Sequence, residues 1–65
     1  MERITTIASL EERLGQPIWI KTYMSHYLKV HLMGVFIDGS FEVLMDDRDE
    51  YARLDLSSNE VIVFH

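Results

Sequence analysis

The chain has 65 residues and no cysteine, which leaves room for one domain, residues 1–65, and excludes disulfides and Cys-based zinc sites. Hydrophobic residues make up 48% of it, too many for a disordered chain. The formal net charge is −5, whereas phosphate backbones are bound by clustered Lys and Arg.

The charge is unevenly spread. Residues 1–37 carry four basic and three acidic side chains, a balance of +1, and residues 38–65 carry two basic and eight acidic ones, a balance of −6. A nucleic-acid contact is therefore expected in the first half or at backbone donors. A domain this short buries only ~60% of the surface its unfolded chain exposes. Small domains usually add a staple, and without disulfides oligomerisation is the common one left.

The first element reads as a helix over about residues 5–14. Ile4, Ile7, Leu10 and Leu14 are spaced by three, three and four, which puts them on one helical face. Thr5 or Thr6 can cap its start, and Ser9 with Glu12 matches a capping box that would start it later. Gly15 suits a left-handed turn after the helix, and Pro17 bars continuation.

The period then changes to two. Ile18, Ile20 and Thr22 alternate with Trp19, Lys21 and Tyr23, a first strand. Leu28 to Ile37 reads as a long second strand, with Leu28, Val30 and Leu32 facing one way and Lys29 and His31 the other. From Met33 onward both faces are apolar, as in a fully buried strand. Gly34 marks a bulge or bend. Asp38-Gly39-Ser40 is a turn, and Phe41 to Met45 a third strand. Asp46 to Glu50 reads as a polar loop. Tyr51 to Leu56 is a fourth strand with Ala52, Leu54 and Leu56 inward. Ser57-Ser58-Asn59 is a turn, and Glu60 to Phe64 a fifth strand.

The expected fold is thus mainly β: a short helix, then five antiparallel strands forming a small barrel over about residues 17–64. The last strand is apolar on both faces. At a sheet edge that would be an aggregation hazard unless another subunit covered it. Val61, Ile62, Val63 and Phe64 are therefore the expected interface of a homo-oligomer.

The order resembles the Sm-like family, which includes the bacterial Hfq-type proteins. Ser9 to Gly15 is similar to that family's N-terminal helix and following glycine. Asp38-Gly-Ser-Phe-Glu-Val-Leu-Met-Asp-Asp resembles its turn and third strand. The resemblance implies RNA or nucleotide binding near Asp38, Phe41 and Glu42, with Ser57, Ser58 and Asn59 close by. Glu42 stands where the family usually has a base-binding Asn. The loop at Ser57 to Asn59 lacks the family's basic or glycine-containing character. SH3-like barrels share the strand count.

A second surface is legible without the resemblance. Tyr23, His26 and Tyr27 lie between Lys21 and Lys29, and aromatics beside lysines can stack bases and neutralise phosphates. Trp19 reads as core or interface packing. His26, His31 and His65 show no metal-ligand spacing, and Asp46 to Glu50 lacks the alternating acids and central Gly of a calcium loop, so no metal and no cofactor is expected. No nucleophile, base and orienting group can be assembled, so an enzyme is not expected.

Two functions remain open. One is a non-enzymatic homo-oligomer binding RNA or a nucleotide-type ligand. The other is an acidic regulator or inhibitor that meets a basic protein partner, which would suit a small accessory protein of a phage or mobile element. The first residues lack the apolar core of a secretion signal, and Leu32 to Ile37 is far short of the ~20 residues that span a membrane. A cytoplasmic location without membrane contact is expected.

Overall fold

The structure is a computed structural model and describes residues 1–22, 26–45 and 48–64. It contains β1 (Glu2–Ile4), α1 (Ile7–Glu11), β2 (Pro17–Lys21), β3 (Tyr27–Val35), β4 (Ser40–Met45), β5 (Glu50–Asp55) and β6 (Val61–Val63). The strands form one antiparallel sheet in the order β1-β6-β2-β3-β4-β5. The mainly β reading holds. The sheet is open, with β1 and β5 at its two ends, so the closed form of the expected barrel is not present. It is nevertheless strongly coiled: a flat sheet would be thin in one direction, and the molecule measures 26 × 24 × 22 Å.

The helix is shorter than its periodicity suggests. Thr6 is the N-cap, and its Oγ1 accepts from the Ser9 N–H at 3.2 Å. Beyond Glu11 the backbone tightens into turns, with Arg13 N–H donating to Leu10 O at 2.9 Å and Leu14 N–H to Glu11 O at 3.2 Å. Gly15 then takes φ 81°, and its N–H donates to Leu32 O of β3 at 2.8 Å. A tie to the sheet ends the segment, at a backbone angle that suits glycine. The four spaced apolar residues do not share one helical face. Ile4 is in β1 and buried, Leu10 is fully buried, and Leu14 is 54% exposed.

β1 was not expected, and it overturns the reading of the last strand as an edge. Glu2, Arg3 and Ile4 pair with Val63, Ile62 and Val61, while Trp19 and Ile20 of β2 pair with Ile62 and Val61 on the other side. β6 therefore lies inside the sheet. Val61 and Val63 belong to the core, Ile62 is buried on the opposite face, and only Phe64 is exposed. Strands apolar on both faces suit interior positions for that reason.

One face of the sheet closes over Ile4, Leu10, Ile18, Ile20, Val30, Leu32, Phe41, Val43, Val61 and Val63. Ala52, Leu54, Leu56 and Met45 pack on its margin, only partly buried. The long second strand is bulged as Gly34 suggested, with a register shift between Leu32 and Gly34. The expectation of burial from Met33 onward fails. Met33, Phe36 and Ile37 are exposed, Ile37 at 98%. β3 ends at Val35, and the following residues turn outward as a hairpin tip, where apolar character cannot reach the core.

Leu10 is the residue through which α1 enters the core. Leu10→Ala is expected to lower the unfolding free energy by about 2–5 kcal/mol, whereas Leu14→Ala should stay within about 0.5 kcal/mol of the parent. Urea titrations of the two variants check the contrast.

Candidate functional site

The two sets of candidate residues fall in different places. The Asp38 set lies at the turn end of the sheet. Gly39, at φ 89°, closes the β3–β4 hairpin by donating to Phe36 O at 3.1 Å. Asp38 Oδ1 accepts from the Ser40 N–H at 3.0 Å and from the Ser40 hydroxyl at 2.6 Å. The same arrangement recurs beside it, where Asp55 Oδ1 accepts from the Ser57 N–H at 3.0 Å and the Ser57 hydroxyl at 2.8 Å. Leu56 N–H joins the two turns through Gly39 O at 2.9 Å. Asn59 Nδ2 donates to Asp55 O at 2.9 Å, and Ser58 N–H to the same oxygen at 3.1 Å.

A shallow depression of about 330 Å³ lies here, lined by Asp38, Gly39, Asp55 and Ser57 together with Thr5, Ile7 and Leu56. Asp38 and Ser57 thus come together as expected, but Phe41 and Glu42 do not join them. Phe41 is fully buried in the core. Glu42 alternates to the opposite face, across from Gly34 and Arg53. Arg53 is held back by its own partners. Its Nε and a terminal nitrogen donate to Ser40 Oγ at 3.0 and 2.8 Å, that nitrogen lies 3.6 Å from Asp38 Oδ2, and the guanidinium stacks 4.0 Å over the Phe36 ring. Two carboxylates and one engaged cation make this depression a poor seat for phosphate.

Both carboxyls are held below the ordinary 3.8. For Asp38 the main cause is the hydrogen bond from the Ser40 hydroxyl, followed by its backbone N–H; for Asp55 it is the Ser57 N–H, followed by its hydroxyl.

Lys21, Tyr27 and Lys29 lie on the face of the sheet turned away from the core. Residues directly opposite in a ladder share a face. Arg3 is opposite Ile62, Ile62 opposite Trp19, and Trp19 opposite Lys29, so these four form one row. Lys21 and Tyr27 are opposite each other, two residues further along the same face. His26 is exposed next to Tyr27, and its carbonyl accepts from Thr22 N–H at 2.7 Å and Thr22 Oγ1 at 3.0 Å, which narrows the hairpin. Tyr23, also expected here, lies outside the described residues, as do Asp46, Asp47 and His65.

Two rings complete this patch that the sequence did not point to as ligand contacts. Phe64 lies at the end of β6, with its ring centroid 5.0 Å from that of Trp19 and 5.7 Å from that of Tyr27, each at 87°. The period-two pattern puts Trp19 between two lysines on one face, and that was the available signal for it. Nothing local signals Phe64, whose neighbour Trp19 is 45 positions away in the chain, as the numbering shows.

Glu60 is shared by Arg3 at 3.4 Å and Lys21 at 3.7 Å. Lys29 is exposed and makes no ion pair among the described residues. Among the described residues the patch thus carries three cations, one acid and three rings, inside a chain of net charge −5. Among the described residues no group of three or more His, Asp or Glu side chains is placed to hold a metal ion, and no helix is long and apolar enough to cross a membrane.

No family model matches the chain, and no curated protein or solved structure matches it either.

A carboxyl whose value is depressed by folding adds stability above its unfolded-state value, and loses it as pH falls through the folded value. Asp38→Asn and Asp55→Asn are therefore expected to be less stable than the parent near neutral pH. The gap should narrow as pH falls below the ordinary 3.8, followed by thermal melts at a series of pH values.

Proposed function

We propose that this chain is a non-enzymatic RNA- or nucleotide-binding domain of Sm-like or SH3-like type, working as a homo-oligomer. The observation that carries the binding reading is the gathering of Lys21, Tyr27 and Lys29 with Trp19 and Phe64 on one face of the sheet, with His26 exposed beside Tyr27. Cations neutralise phosphates and ring faces accept bases, and here both lie within one short hairpin and its neighbouring strand. Among the described acids of the second half, Asp38 and Asp55 lie at the turn end and Glu50 begins β5. The strand order from β6 through β5, with a short helix before β2, is what supports the Sm-like or SH3-like assignment.

The test is binding of short labelled single-stranded oligoribonucleotides across a salt series. Binding is expected at low salt, with log K falling against log salt by about 0.7 per phosphate contact for a single strand. Lys29→Ala should weaken binding and reduce that slope by about the same amount. No binding at low salt would end the nucleic-acid reading.

Assembly of several copies draws support from β5. It pairs with β4 along six register positions, its other edge is open, and its inward residues Ala52 and Leu54 are only partly covered. An uncovered, unbulged strand edge invites pairing with another chain. Light scattering at micromolar concentration is expected to give a mass above one chain, and a monomer there would refute the oligomer.

A second reading is favoured by the depression between Asp38 and Asp55, whose carboxylates suit a cationic group better than an anionic one. In that case the chain is an acidic regulator of a basic protein. A pull-down that returned nucleic acid and no protein partner would count against it.

A further inference from the structure

We infer that Trp19, Tyr27 and Phe64 form a stacking platform for the unpaired bases of a single strand, with the bases rather than the phosphates supplying most of the affinity. The inference rests on the nucleic-acid reading above and specifies which part of the ligand is recognised.

The exposure of the rings is the first argument. Ile62 beneath this face is already 2% exposed, yet Tyr27 remains 39% and Phe64 42% exposed. The rings therefore carry more open surface than covering Ile62 requires. Their geometry is the second. Phe64 meets Trp19 and Tyr27 at 87° each, and an edge-to-face contact uses the face of only one ring of the pair. More ring faces are thus left available to a planar ligand than a parallel stack of the three would leave.

The charge count is the third argument. Arg3 and Lys21 are both engaged with Glu60, at 3.4 and 3.7 Å, which leaves Lys29 as the cation of the patch without an ion pair among the described residues. One open lysine beside an indole cannot hold a duplex by its phosphates. It can hold one phosphate next to a stacked base. Paired bases are hidden within a helix, so a ring platform selects strands whose bases are splayed out. The positive balance of this patch within an acidic chain favours a polyanion over an apolar peptide as occupant.

Trp19 is the one tryptophan of the chain, so its fluorescence reports the site directly. The full chain is titrated at low salt with oligoribonucleotides of increasing length, and with a duplex of the same sequence. Quenching of Trp19 is expected with single strands, with affinity levelling off at about four nucleotides, the low end for small β folds. The duplex should neither quench nor compete. Phe64→Leu keeps apolar bulk but removes the flat face, and should weaken binding roughly five- to hundred-fold. Phe64→Tyr should restore it, with equal melting temperatures confirming that the fold is intact. If oligonucleotides bind without quenching Trp19, or bind Phe64→Leu as tightly as the parent, or if the duplex binds equally well, the platform is refuted while nucleic-acid binding stands. If nothing binds at low salt, the underlying reading falls, and the platform with it.

Discussion

Val61–Val63 joins the two ends of the chain, and most of the structure depends on that junction. These three residues pair with β1 on one side and β2 on the other. Val61 and Val63 face the core while Ile62 faces the opposite side, and all three are buried. A strand held this way needs no protection at its edges. The pairing brings Glu60 between Arg3 and Lys21, and carries Phe64 onto Trp19. The candidate binding face is therefore a consequence of where the last strand inserts.

The sheet separates two kinds of chemistry that the composition mixes. The turn end is built from two Asp-x-Ser turns, at Asp38 to Ser40 and at Asp55 to Ser57, each carboxylate satisfied by its own serine. Arg53 ties the first of these to β5 and is spent on that task, with Ser40 and Phe36 as its other partners. The outer face near β2 and β3 leaves Lys29, Tyr27 and Phe64 exposed, with Trp19 half-buried between them. Alternation along each strand does the sorting: one period-two pattern sends aliphatic residues to the core and sends Lys, Trp and Tyr to the other side. Net charge describes the whole chain and is a poor guide to any one of its faces.

Much of the architecture was legible. The change of period after Pro17, the turn at Asp38 to Ser40, the bulge at Gly34 and the inward set Ala52, Leu54 and Leu56 are all local signals, and each has its counterpart in the structure. Of the candidate site, Lys21, His26, Tyr27 and Lys29 were legible as a group because a short hairpin keeps near neighbours together. Phe41 and Glu42 were drawn toward the Asp38 site by resemblance, but a strand's alternation sends them to opposite faces, and Phe41 goes to the core.

By itself the sequence determined which segments extend, where they turn and which side of each is apolar, because those properties depend on residues a few positions apart. Tertiary structure decided three things. Ile4 left the helical pattern because a strand next to β6 buries it more completely than one turn of helix could. The last strand became an interior strand, because the N-terminal segment reached across to cover its free edge. Phe64 joined Trp19 and Tyr27, because antiparallel pairing sets residues from opposite ends of the chain side by side. Each is a long-range pairing, and the period of a single strand carries no information about its partner.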